Sequence, residues 1–183
     1  TVAKMISKGK AIGWFQGKME FGPRALGSRS ILADPRNKFM QKQLNLKIKF
    51  RESFRPFAPS ILEEQSKNWF NLDCKSPYML FVANVNEEIL IEKKTNNKNP
   101  NKLYLINDVR SKIPGVTHVD NSARVQTVGK KNNPKFYQLI KEFYRITKTP
   151  IVINTSFNIR GEPIVCSPRH AFRCFMGTNL DLL

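Results

Sequence analysis

Acidic residues, histidine and cysteine are scarce in this chain, with 14 Asp and Glu, two His and three Cys among 183 residues. Each scarcity removes a class of chemistry. Cys74, Cys166 and Cys174 are odd in number and spaced by 92 and 8 residues, which fits neither a disulfide framework nor a CxxC metal site. All three are expected to be reduced and structural. His118 and His170, with so few Cys or acids in pattern nearby, make no metal site, so no metal is expected on this chain alone. No apolar run approaches the roughly 18 to 20 residues that span a bilayer, and TVAKMISKGKAIGWF at the N-terminus has no signal-peptide core. The expected location is cytoplasmic, away from membranes. Neither a P-loop nor a GxGxxG after a strand occurs, which leaves both nucleotide folds of those motifs without support.

What is present is positive charge. The 31 Lys and Arg give a formal net charge of +17. Over residues 1–60, 13 Lys or Arg face three acids, with Phe, Leu, Ile, Trp and Pro threaded between them. A disordered basic tail lacks such apolar residues, so these cations belong to a folded frame. A frame of that kind suits a multiply charged anion such as a nucleotide or a phosphorylated metabolite. Nucleic-acid binding instead predicts a basic stripe with strong salt dependence. In residues 92–112 the lysines mix with Asn in a solvated loop, so part of the excess is compositional. At this length and 40% apolar content, one domain with its own core is the simplest count.

Strand-like and helix-like segments alternate. Ala11 to Phe15 reads as a short buried strand, and Asp34 and Pro35 read as the start of a helix through NKFMQKQLNLKIKF. A second helix is expected in LEEQSKNWF and a strand over Tyr78 to Val85. VTHV and ARVQTV read as a hairpin turning at Asp120 and Asn121, because Asn tolerates positive φ. In NPKFYQLIKEFYRITK, the residues Phe136, Leu139, Ile140, Phe143 and Ile146 share one helical face. TPIVINTS reads as a central strand, and Ser167 or Pro168 opens a last helix. This order implies an α/β domain around a mixed sheet.

The candidate ligand contacts are cations and small polar groups. Arg24 stands between Gly22-Pro23 and Ala25-Leu26-Gly27, where it either forks onto a phosphate or pairs with Glu20 or Asp34 to hold a loop. Arg29 is as readily structural. Gly17, Gly22 and Gly27 serve either close backbone approach to a ligand or tight turns. Lys49, Arg51 and Arg55 in KFRESFR share the parity of an extended segment, which would gather three charges on one face and turn Glu52 away. A solvated basic edge is the plain alternative. Arg124 either contacts the ligand or bridges to Asp120. Asn154, Ser156 and Asn158 alternate after a strand, so their side chains can bond a ligand from one side, although the same residue types favour caps and Asx turns. Arg160 either closes over the ligand or pairs with Glu162. His118, alone on a short strand, reads as a satisfied core histidine.

Three blocks carry a resemblance: GWFQGKMEFGPRALGSRSILADPR with KFRESFRPFAPS, then THVDNSARVQTV, then NTSFNIRGEPIV. In this order and spacing they resemble the C-terminal, YrdC-like domain of the nodulation and antibiotic-biosynthesis carbamoyltransferases. The resemblance implies a YrdC-like twisted mixed sheet flanked by helices. Residues 1–183 would be one such domain, from a longer enzyme whose N-terminal transfer lobe is absent. It further implies ATP, with Mg²⁺ carried by the nucleotide, and carbamoyl phosphate as reactants that yield a carbamoyl-adenylate. The other lobe would pass the carbamoyl group to a hydroxyl of a small molecule. By the same resemblance Arg24, Lys49, Arg55 and Arg124 match anion-binding positions, Arg51 is a helper, and Asn154, Ser156 and Asn158 match the Ser-x-Asn signature. The family usually has Gly where this chain has Asn121, and often an acid where it has His170. No Ser-His-Asp or Cys-His set points to a covalent intermediate, so catalysis would be positioning and charge stabilisation. Two other readings stay open: an RNA-binding module, which the high charge suggests but for which only Trp14, Trp69 and a few Tyr could stack on bases and no RNP or zinc motif is present, and a threonylcarbamoyl-adenylate synthase of the same fold.

Overall fold

The computed structural model describes residues 1–91 and 108–183. The expected solvated loop over residues 92–112 therefore falls mostly outside the described residues. Alternating helices and strands run α1 (Val2–Ser7), β1 (Ile12–Phe15), β2 (Arg29–Ala33), α2 (Met40–Lys47), β3 (Ala58–Leu62), α3 (Ser66–Trp69), β4 (Val82–Asn84), β5 (Ser122–Arg124), β6 (Gln126–Val128), α4 (Pro134–Thr147), β7 (Ile151–Ser156) and α5 (Pro168–Met176).

Five strands form one mixed sheet in the order β1-β2-β7-β3-β6. All its pairs are antiparallel except β3 with β6. β7 lies at the centre because its first three residues, Ile151, Val152 and Ile153, are apolar and β-branched in succession, as a strand covered on both faces requires. Pleating divides the sheet residues between two cores. Ile31, Ala33, Ile61, Ile151 and Ile153 pack with Met40 and Leu44 of α2 and Ala171 and Cys174 of α5. Leu32, Leu62, Val128 and Val152 pack with Ala3 and Ile6 of α1 and Phe136, Leu139, Ile140 and Phe143 of α4. The sheet is thus flanked by helices on both faces, the α/β class expected.

Local chemistry fixes the helix starts. The Asn133 side chain accepts from the Phe136 amide at 3.2 Å and Pro134 occupies the first turn of α4. The Ser167 hydroxyl accepts from the His170 amide and Pro168 follows it in α5.

Several expected elements differ. The helix expected from Asp34 starts at Met40 instead. The Asp34 carboxylate accepts from the Arg36 amide at 2.9 Å and pairs with its guanidinium at 2.6 Å, so the acid holds a turn rather than capping a helix. Tyr78 to Val85 contributes only the three residues of β4, because Met79 takes a left-handed φ of 56°. VTHV is not a strand, although Asn121 does turn with φ 63°. ARVQTV divides at Val125, whose amide donates to the Phe81 carbonyl; β5 pairs with β4, and β6 with β3 in the main sheet. Lys49, Arg51 and Arg55 do not form a strand face: Phe50 is left-handed at φ 48° and the chain turns. Ile146, expected on the apolar face of α4, is 42% exposed. Cys74 and Cys166 are exposed and only Cys174 is buried; all three are free.

Candidate functional site

The loop between β1 and β2 carries Arg24, and its own polar groups shape it. Glu20 Oε1 accepts from the amides of Leu26 at 2.7 Å, Ser28 at 2.6 Å and Arg29 at 3.3 Å. The buried Arg29 guanidinium donates to the carbonyls of Gln16, Gly17 and Ser28 and stacks on Phe15. Gly27 is required at φ 106°, where a Cβ would also lie 2.2 Å from the Phe136 ring. Arg29 is therefore a structural cation, and Glu20 and Asp34 are spent on Arg29's loop and on Arg36. Neither acid pairs with Arg24.

A buried polar cluster ties this loop to the sheet. Asn154 Nδ2 lies 3.1 Å from the Ala25 carbonyl, 3.0 Å from Ser60 Oγ and 2.9 Å from Gln126 Oε1. Gln126 Nε2 donates to the Leu26 carbonyl at 2.9 Å. Asn154 and Gln126 thus clamp Ala25 and Leu26, the residues immediately after Arg24.

Beside the clamp is a small cavity of about 150 Å³ whose lining includes Arg24, Arg51, Arg124, Asn154, Thr155 and Ser156. No carboxylate is in that lining. Three guanidiniums converge on one space, each half-buried. Burial and then the charge of Arg24 lower the pKa of Arg124; burial and then Arg55 lower that of Arg51. Arg124 Nε and Asn154 Oδ1 are buried without a hydrogen-bond partner. Arg124 makes no bridge to Asp120; Asp120 Oδ1 instead accepts from Ser122. Arg51 Nε donates to Asn45 Oδ1 at 2.6 Å, and Arg124 Nη2 reaches only Met79 Sδ at 4.0 Å; three cations around one space with no carboxylate in its lining favour a bound anion, and guanidiniums suit a phosphate.

Lys49 lies behind this wall, 4% exposed. Its ammonium donates to the Ser156 carbonyl, to Ser156 Oγ at 3.2 Å, to the Asn158 carbonyl at 3.0 Å and to Asn158 Oδ1 at 2.7 Å. Burial, with the charge of Arg51 beside it, pushes its pKa down to about 7, while the ring of oxygens favours the charged form. Asn158 also bonds Ser156 Oγ and the Glu162 carbonyl, and it is not in the cavity lining. Arg55 is exposed and 3.9 Å from Glu52, which does not face away as expected. Of the eight residues read from sequence, five line the cavity, Lys49 and Asn158 brace it from behind, and Arg55 stands outside, near Arg51. Sequence reasoning missed Thr155, the clamp formed by Ser60 and Gln126, and the means by which Glu20 holds the loop, through the amides of Leu26, Ser28 and Arg29 and not through Arg24. Glu20 sits inside the first motif block and Gln126 inside the second, so position in those blocks was the available signal.

Residues 3–183 match the family described as Carbamoyltransferase C-terminus. The chain belongs to that family. It is 54% identical over 182 residues to an uncharacterized protein of Synechocystis sp., covering 100% of this chain and 30% of that protein. It is 42% identical over 185 residues to nodulation protein NolO of Bradyrhizobium diazoefficiens, covering 99% of this chain and 30% of NolO. With 3'-hydroxymethylcephem-O-carbamoyltransferase of Amycolatopsis lactamdurans it shares 36% identity over 160 residues, 87% of this chain and 26% of that enzyme. This carbamoyltransferase C-terminus chain thus spans about 30% of the length of the first two relatives. In fold it resembles full-length HypF, solved in its phosphate- and nucleotide-bound form, with a TM-score of 0.61 over 99% of this chain and 23% of HypF at 18% identity. Among the described residues no helix is long and apolar enough to cross a membrane.

Proposed function

We propose that this chain is the nucleotide-binding domain of a carbamoyltransferase, and that the cavity of Arg24, Arg51 and Arg124 holds phosphate groups of ATP. The observation that carries this reading is the convergence of three guanidiniums on a space with no carboxylate in its lining. At about 150 Å³ the cavity is smaller than the roughly 300 to 1,000 Å³ of sites that enclose drug-sized ligands. It therefore suits a phosphate-sized group, with the nucleoside extending beyond it. Mg²⁺ would arrive on the nucleotide, since the lining offers no hard carboxylate ligand.

The chemistry assigned to the site is adenylation. Carbamoyl phosphate and water give carbamate and phosphate; a carbamate oxygen then attacks the α-phosphorus of ATP, forming carbamoyl-adenylate and releasing pyrophosphate. Fixed guanidiniums would offset the charge that accumulates as two anions approach, and the Asn154 and Gln126 clamp would keep Arg24 from moving as it builds. Transfer to a hydroxyl would belong to the part of the enzyme outside this chain. The relatives NolO and the cephem carbamoyltransferase support this reading through their shared family.

Thermal melting tests it. Saturating ATP should raise the melting temperature, with stabilisation of about 2.7 kcal/mol at a hundredfold excess over Kd. Carbamoyl phosphate should release pyrophosphate from ATP where threonine with bicarbonate does not. Protection by RNA without protection by ATP would replace this reading with the RNA-binding one.

A further inference from the structure

Lys49 is a buried titratable group to which the adenylation chemistry gives no step, and its surroundings answer to its charge. Its Nζ has four oxygens within hydrogen-bonding distance: the Ser156 carbonyl, Ser156 Oγ at 3.2 Å, the Asn158 carbonyl at 3.0 Å and Asn158 Oδ1 at 2.7 Å. An ammonium shares three hydrogens among them and has no lone pair. A neutral amine has two hydrogens and a lone pair that must face an oxygen, so deprotonation opens the ring. What the ring holds is a wall of the cavity of Arg24, Arg51 and Arg124. Ser156 ends β7 and lines that space, and its hydroxyl donates to Asn158 Oδ1 at 2.7 Å.

The charge of the cavity reaches the ring. Burial, then the charge of Arg51 in the cavity lining, hold the pKa of Lys49 at about 7, and Cys174 of α5 acts in the opposite sense. Arg55 and Glu52 act on Arg51, and Glu162 acts on Cys174. Among the described residues no carboxylate bonds the ammonium. An anion on Arg51 cancels the charge that repels the proton and adds a negative charge of its own, one residue away across Ser156.

We propose that Lys49 is a proton-linked positioning residue: a phosphate entering the cavity draws a proton onto Lys49, and the ammonium then closes Ser156 and Asn158 into the ring that sets the cavity wall. The inference rests on the nucleotide reading above and adds to it a direction, binding with proton uptake. In the free protein at pH 8, a pKa of about 7 leaves about nine in ten of the Lys49 amines neutral, so the wall is loose until the anion arrives. By reciprocity, ATP binds more tightly as pH falls from 9 toward 7.

Isothermal titration with ATP and Mg²⁺ in two buffers of different ionisation enthalpy counts the protons. At pH 8 the phosphates of the nucleotide have none to release, and uptake should reach about 0.5 to 0.9 proton per ATP; at pH 6, where Lys49 is already charged, it should fall below about 0.2. The dissociation constant should rise about three- to tenfold per pH unit from pH 7 to 9. A brace without proton linkage moves neither readout. Lys49→Met should bind ATP more weakly, with no uptake and a flat pH profile. His118 is the other group that the cavity's charge reaches, through Arg124; His118→Gln should keep the uptake, and it decides the question if Lys49→Met does not fold. ATP binding at pH 8 with no proton taken up, with uptake intact in Lys49→Met, or with uptake lost in His118→Gln, overturns the linkage and leaves the nucleotide reading standing. Absence of ATP binding at every pH overturns the nucleotide reading, and the linkage with it.

Discussion

Arg24, on the loop between β1 and β2, and Arg124, at the end of β5, line the same cavity, close enough that the charge of one lowers the pKa of the other. No carboxylate in the lining relieves that repulsion. The fold therefore holds an arrangement that favours a bound anion over an empty site. Replacing Arg24 or Arg124 by Met should leave stability equal or greater, while ATP binding weakens by about 1 to 3 kcal/mol for the lost charge-assisted bonds. Urea melts paired with titration calorimetry check this. A matching loss of stability would make these arginines structural.

Lys49 should behave differently. Its ammonium satisfies oxygens of both Ser156 and Asn158, so Lys49→Ala removes packing and strands those acceptors. The expected cost is about 2 to 4 kcal/mol of folding stability. Arg55→Ala, at an exposed side chain, should stay within about 0.5 kcal/mol. Urea denaturation of both variants measures the contrast, and equal effects would contradict it.

The same lysine predicts a pH dependence. Its folded pKa of about 7 lies below the model-peptide value of 10.5. Between those values the unfolded chain holds the extra proton, so this group's contribution makes stability rise with pH across that window and fall as pH drops toward 7. Lys49→Met should flatten that part of the profile. Chemical melts at pH 7, 8 and 9 on both proteins read the difference.

Gly27 offers a test of the loop. An added methyl would lie against the Phe136 ring at a φ that side chains rarely adopt, whereas Gly22, at φ 120°, has open space around it. Gly27→Ala should cost more than about 2 kcal/mol and weaken ATP binding by displacing Arg24; Gly22→Ala should cost about 1 kcal/mol. Comparable losses in both would mean that backbone strain alone, without the Phe136 contact, sets the cost.

How far the sequence revealed this arrangement varied with the kind of interaction. α4, β7 and α5 were legible because their apolar periodicity and caps act locally, through Asn133 and Ser167. β2 and β3 were not, since RSILA and APSIL are short and owe their strand state to pairing with β7. The strand reading of KFRESFR failed because a turn at Phe50 sends Lys49 inward and Arg55 out. Residue type pointed to Arg24, Arg51 and Arg124 without showing that they meet. Their convergence depends on Glu20, Asn154 and Gln126, whose hydrogen bonds join segments distant in the chain.

A crystal structure of the protein soaked with ATP and Mg²⁺ tests the central claim most directly. The account predicts phosphate oxygens within hydrogen-bonding distance of Arg24, Arg51 and Arg124, with Asn154 and Gln126 unmoved. A nucleotide whose phosphates lie elsewhere, with these three guanidiniums still turned on an empty cavity, would contradict it.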